Sequence, residues 1–155
     1  FINGYKGRNK YSISKFWNEF CQKNKIAPNA LEGAYAFGAN SHDADVLSDL
    51  INRGIKTATT SIYISADDLP VVGMYSIVLD GNNQPVCVIK NETVEIMPFK
   101  NVSEKHAYLE GEGDRSYESW RKVHEAFFTW ECKEELGKKF TEDTEVVCET
   151  FTKVG

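Results

Sequence analysis

Two short strings carry side chains able to do chemistry. The first is GIKTATTS at residues 54–61. It sets Lys56, Thr57, Thr59, Thr60 and Ser61 directly after a helical pattern that closes at Gly54. On a helical or turn-like backbone, residues three apart share a face, so Lys56 and Thr59 project together. A lysine beside a hydroxyl is a base and nucleophile pair when burial lowers the lysine pKa. The same groups can hold a phosphate or a base edge without any reaction. Without a ligand, the string is a polar turn that caps one helix and starts a strand. A lysine three residues before a threonine is a common pattern and is not specific by itself.

The second string, EGEG at residues 110–113, is rarer. Its glycines let the backbone approach a ligand closely or take positive φ. Glu110 or Glu112 in a pocket is a general acid or base, or an acceptor for an exocyclic amine. Otherwise the two are solvated loop carboxylates. Asp114 and Ser116 suit the cap and first turn of the helix that follows. Tyr75 and Tyr117 are candidate stacking surfaces for a base, whereas Trp120 reads as core. His106 and His124 make neither an HxH nor an HExxH pattern, so no metal and no cofactor is expected.

Elements to position these groups follow from periodicity. Ile13, Phe16, Trp17, Phe20 and Cys21 recur at helical spacing, predicting a helix over 12–24. KIAPNALEGAYAFG, with Pro28 and two glycines, reads as a connection. A helix starts near Ser41 as N-cap, with Ala44, Leu47, Leu50 and Ile51 on one face, Arg53 in its last turn and Gly54 at C′. MYSIVLD, GNNQ and PVCVIKNETVEI read as strand, turn and strand. Ser103 caps a short helix. A long helix spans about 116–136, with Trp120, Val123, His124, Phe127 and Phe128 on its apolar face, and TEVVCETFTKV closes as a strand. The class is α+β, a small mixed or antiparallel β-barrel with flanking helices, which hides sheet edges.

The chain has 155 residues, of which 41% are hydrophobic and 26% charged, as expected for one globular domain. No apolar run reaches the roughly 20 residues of a membrane span. No signal-peptide pattern opens the chain, and none of the four cysteines forms a CxxC pair. Cys21, Cys87 and Cys148 read as small core residues, with reduced thiols and a cytoplasmic location as the expectation. No obligate protein partner is evident. The net charge of -5 opposes general binding of long nucleic acid, so any such ligand needs a local pocket. Arg53, Lys90, Arg115 and Arg121 are the candidate cations for a local groove.

From about Tyr35 onward, AFG, NRGIKTATTS, LPVVGMYSIVLDGNNQPVCVIKNETVEIMPFKNV and AYLEGEGDRSYESWRKVHEAFF occur in one order. This series closely resembles the longer bacterial ASCH-domain proteins. The resemblance implies a PUA-like barrel with helices beside it. It also implies a single domain over 1–155, with a helical extension of about 1–34 before a core of about 35–155. The family pattern GxKxxTxR stands here as Gly54, Lys56 and Thr59, with Ser61 in place of its arginine. A short relative, a bacterial acetylcytidine amidohydrolase, uses lysine, threonine and glutamate, which correspond to Lys56, Thr59 and Glu110. In that reading Lys56 is the base, Thr59 the nucleophile and Glu110 the acid or base. Gly54, Thr57, Ser61, Tyr75, Gly111, Glu112 and Arg115 would then surround the ligand. RNA, a nucleotide or a modified nucleoside is the implied partner. A non-catalytic RNA-binding module, a ribonuclease, and a purely structural ion pair between Lys56 and Glu110 are the alternatives.

Overall fold

The computed structural model describes residues 2–4 and 10–155. Its elements are β1 (Ile2–Gly4), α1 (Lys10–Asn24), β2 (Leu31–Phe37), α2 (Ser41–Asn52), β3 (Ala58–Ile62), β4 (Tyr75–Leu79), β5 (Pro85–Pro98), α3 (Glu104–Glu110), α4 (Tyr117–Glu134) and β6 (Glu145–Lys153). The strands form one sheet in the order β1-β2-β4-β5-β6-β3. β2 pairs with β4 in parallel, and the other pairings are antiparallel. The sheet curls into a half-barrel with helices against it, the α+β architecture expected.

Alternation along β4 explains how both sheet faces are covered, because successive side chains point to opposite sides. Ile77 and Leu79 join Val88 under Ile13, Trp17, Phe20 and Cys21 of α1. Val78 points the other way, and with Phe37, Cys87, Ile89 and Phe151 it packs against Leu47 and Ile51 of α2. A third cluster sets Trp120, Phe128 and Cys132 of α4 against Phe99, Phe140, Val146 and Cys148. All four cysteines are buried and unpaired. Among the described residues no helix is long and apolar enough to cross a membrane.

Three local expectations change. KIAPNALEGAYAFG contains β2, which its small residues conceal; parallel pairing with β4 supplies what local propensity lacks. Asn40, not Ser41, caps α2, its side chain accepting from the Asp43 amide at 2.9 Å. On α4 the buried stripe runs through Trp120, His124, Phe128 and Cys132, while Val123 lies outside it and is exposed. The apolar face of α1, within the N-terminal extension, packs against the same sheet as the rest, and β2 runs across the boundary between extension and core.

Candidate functional site

The turn after α2 directs Lys56 inward. Gly54 adopts φ +76° at the position just past the helix, a conformation that suits glycine. The backbone then enters β3, and the Thr57 amide donates to the Leu109 carbonyl at 2.8 Å, joining this turn to the end of α3. Lys56 is left only 1% exposed. Its ammonium donates to the Ala58 carbonyl at 2.9 Å, Glu110 Oε1 at 3.2 Å and Glu112 Oε2 at 2.8 Å.

Glu110 has no solvent exposure and is hydrogen-bonded on both oxygens. Its Oε2 accepts from the Thr60 hydroxyl at 2.8 Å and the Trp120 indole at 2.6 Å. His124 Nε2 lies 3.5 Å from Oε1. His106 Nε2 donates to the Thr59 carbonyl at 3.1 Å and lies 3.0 Å from Thr60 Oγ1. Burial works to raise the Glu110 pKa, but Lys56 and the two histidines hold it well below the usual carboxylate range. Burial likewise works to lower the Lys56 pKa, yet Glu110 and Glu112 more than offset this and the net direction is upward. The condition for Lys56 as a general base, a pKa lowered by burial, is therefore not met in this arrangement. Burial pushes the His106 pKa down, against the pull of Glu110.

Gly111 makes this arrangement possible. It ends α3 at φ +70°, and a Cβ there would meet the Ile55 carbonyl oxygen at 2.7 Å. The backbone can thus turn tightly enough for Glu110 and Glu112 to reach the same ammonium. Glu112, with its side chain 24% exposed, also lines a cavity of about 410 Å³ beside the start of α2, together with His42, Val46 and Phe127.

A second cavity, of about 260 Å³, occupies the concave side of the half-barrel. Strands supply most of its polar lining: Glu32 and Tyr35 from β2, Thr59 and Ser61 from β3, Ser76 from β4, Asn91 from β5 and Glu149 from β6. Phe37, Ile89 and Phe151 form apolar wall and belong also to the cluster beneath α2. Thr59 and Glu149 are direct cross-strand partners. Thr59 is 1% exposed, and its Oγ1 has no hydrogen-bond partner among the described residues. Asn91 Nδ2 donates to Glu32 Oε2 at 2.8 Å, which fixes that carboxylate. Burial pushes the Glu149 carboxyl up to about 7; the terminal ammonium and Lys56 oppose the shift, and Glu32 and Glu110 add to it.

The predicted residues therefore separate. Lys56, Glu110 and Glu112 meet in one ion cluster, and Thr57 ties it to α3. Thr59 and Ser61 line the barrel cavity instead, because neighbouring residues on β3 face opposite ways and Thr60 takes the side toward Glu110. Tyr75 lies elsewhere: its ring packs at 6.0 Å from Trp17 and 5.8 Å from Phe20, under α1. Arg115 donates to the Tyr108 carbonyl and stacks on that ring, while Arg53 pairs with Asp49 and Arg121 with Glu142. None of these cations lines the barrel cavity. Tyr117 stacks on Trp120 at 6.0 Å.

Sequence reasoning missed Glu32, Ser76, Asn91 and Glu149. Glu149 had a legible signal: Val147, Glu149 and Phe151 share one face of β6, an acid in phase with apolar neighbours. For a metal, ligand atoms of Glu110, Glu112 and His124 lie within 4.8 Å of one another. The Lys56 ammonium already bonds both carboxylates, so a cation there would have to displace it.

The half-barrel with helices against it is the PUA-like class. Within that class the chain belongs to the ASCH-domain family, whose profile matches residues 33–155. It is similar to an ASCH domain from Lactobacillus crispatus JV V101, with 31% identity and a TM-score of 0.82 over 94% of this chain and 96% of that one. A protein from Enterococcus faecalis V583 is also similar, with 32% identity and a TM-score of 0.81 over 92% of each chain. No curated protein matches the chain significantly.

Proposed function

We propose that the barrel cavity binds a nucleoside, in particular one with a modified base. The observation that carries this reading is the cavity itself. Its wall combines hydroxyls, an amide and carboxyl groups with apolar surface, in a volume of about 260 Å³. Small-molecule sites have this character, a mostly apolar concavity with a few directed polar groups, and the mouth of a β-barrel is a common place for one. Its charge selects among the expected partners. Glu32, Asp68, Glu131 and Glu149 line it and no lysine or arginine does, among the described residues. Phosphate recognition needs cationic or N–H donors, so the lining favours an uncharged base and sugar over a nucleotide or an RNA backbone.

An amidohydrolase is the second reading, favoured by one observation: the Thr59 hydroxyl lies in the cavity wall with its oxygen unpartnered. In this reading that oxygen attacks the acyl carbonyl of a bound N-acylated base, the C–N bond breaks as the hydroxyl proton passes to the leaving amine, and water then cleaves the ester to free the acid. Lys56 and Glu110 lie outside the cavity lining and support the wall from behind. Calorimetric titration with cytidine, uridine, adenosine and guanosine tests the binding reading, with saturable binding of at least one expected. No heat from any of them at millimolar concentration would falsify it. Incubation with N4-acylated cytidines in chelator, with chromatographic product analysis, tests the second reading. Deacylation lost in Thr59→Val supports it; turnover unchanged in that variant removes it.

A further inference from the structure

Glu149 is a carboxyl group with no evident structural task. It is 6% exposed, yet it makes no hydrogen bond or ion pair among the described residues. Other acids of the interior are held: the buried Glu110 by Lys56, Thr60 and Trp120, and the half-buried Glu32 by Asn91 and the Val71 amide. A buried polar group left unpaired is unfavourable, and such groups persist where something else completes them. Glu149 lines the barrel cavity directly across the strand pair from Thr59, whose hydroxyl is also unpaired. A carboxyl that no described residue holds and a buried, unpaired hydroxyl thus meet in one cavity wall.

We propose that the cavity binds an uncharged nitrogen heterocycle through the Glu149 carboxylic acid, whose O–H donates to a ring acceptor while its C=O accepts from the adjacent N–H. This rests on the nucleoside reading above and names the group that recognises the base. The surroundings favour the neutral acid. Glu32 and Tyr35 on β2, Glu131 on α4 and Asp68 in the loop before β4 add no positive charge. Two cations, the terminal ammonium and Lys56, oppose the neutral form without overcoming burial, and Lys56 is already bonded to Glu110 and Glu112. A bound heterocycle displaces water and disfavours the carboxylate further. Above neutrality the ionised group would lose its donor and set a negative oxygen against the ring acceptor.

The test is calorimetric titration of cytidine, uridine, adenosine and guanosine at pH 6 and pH 8.5. The variants Glu149→Gln and Glu149→Leu run beside the natural chain, with thermal melts as folding controls. With a carboxyl near 7, the affinity of the bound nucleosides falls roughly 30-fold between those two pH values. Gln carries a donor and an acceptor where the acid does, so that variant binds with little pH dependence. Leu has neither and loses at least tenfold at pH 6. Equal affinity of the natural chain at both pH values overturns the proposal, as does a Gln variant with the natural slope. Should Leu fail to fold, the Gln comparison decides. Absence of binding by the natural chain at either pH removes the nucleoside reading itself, and this inference with it.

Discussion

Lys56 Nζ lies 3.2 Å from Oε1 of Glu110, 54 residues further along the chain, and both side chains are closed to solvent. The pair joins the entry to β3 to the end of α3. A buried ion pair is not a strong net stabiliser, but breaking one leaves an uncompensated charge in the interior. Lys56→Met is therefore expected to lower stability by about 3–5 kcal/mol. Removing both charges, in Lys56→Met with Glu110→Gln, recovers part of that loss. Urea unfolding of the two variants checks this, and a single-variant loss below about 1 kcal/mol would contradict it. For the same reason, lost activity in a Lys56 variant is no evidence of catalysis unless folding is measured beside it.

Trp120 is the second anchor of Glu110. Its indole N–H donates to Oε2 at 2.6 Å while its ring stacks on Phe99 at 5.5 Å. Trp120→Phe keeps most of the stacking and removes the donor. Hydrogen bonds to charged groups contribute about 1.5–3 kcal/mol, so a loss in that range is expected from denaturant unfolding. Thr60→Val, which removes the other donor to the same oxygen, is expected to be comparable and non-additive with it.

The two glycines of the loop are not equivalent. Gly111 and Gly113 both have positive φ, 70° and 58°. At Gly111 a Cβ would come within 2.7 Å of the Ile55 carbonyl oxygen, whereas at Gly113 the nearest atom is Ser119 Oγ at 3.6 Å. Gly113→Ala is expected to cost about 1 kcal/mol, the left-handed backbone penalty alone. Gly111→Ala costs at least twice that, because the turn must move, and Glu110 and Glu112 with it. Thermal melts compare the two, and equal losses would show that the backbone contact is unimportant.

Stability depends on pH through two carboxyls with opposite signs. Glu110 is held below its ordinary range, so its contribution is present above about pH 4.5 and is lost as pH falls through its folded pKa. Glu149 is pushed up to about 7, so the folded state holds a proton that the unfolded state releases near 4.5. Stability from this group accordingly falls as pH rises from about 4.5 to about 7, by roughly 3 kcal/mol. Glu149→Gln should thus raise stability at pH 8 and change it little at pH 4.5. Urea midpoints at the two pH values decide; a gain of equal size at both would show that ionisation is not the cause.

Salt separates the ligand classes. With no cation in the cavity wall, nucleoside affinity should change less than about twofold between 50 mM and 500 mM salt. A steep fall would point to phosphate contacts made elsewhere on the molecule.

Most of the elements are legible in the chain alone. The 3.6-residue recurrence of Ile13, Trp17 and Phe20, and of Trp120, His124 and Phe128, marks helices whatever surrounds them. Ser103, Ser116 and Gly54 mark their ends through local hydrogen bonds and backbone freedom. The chain alone also singles out Lys56, Thr59, Glu110 and Glu112 as residues of interest. β2 was not legible because Gly33 and its alanines carry little strand propensity; its pairing with β4, which sets Gly33 beside Ser76, 43 residues further on, supplies the order. How the chemical residues are shared out follows from the folded arrangement of the strands. The one-residue alternation of β3 sends Thr60 to Glu110 and Thr59 to the cavity. The curl of the sheet brings Glu32, Ser76, Asn91 and Glu149 from four strands onto one concave wall. Burial and partnership are properties of position in space, and they make Lys56 a neutralised cation and Glu149 an unpaired acid, although nothing local in the chain distinguishes a held charge from a free one.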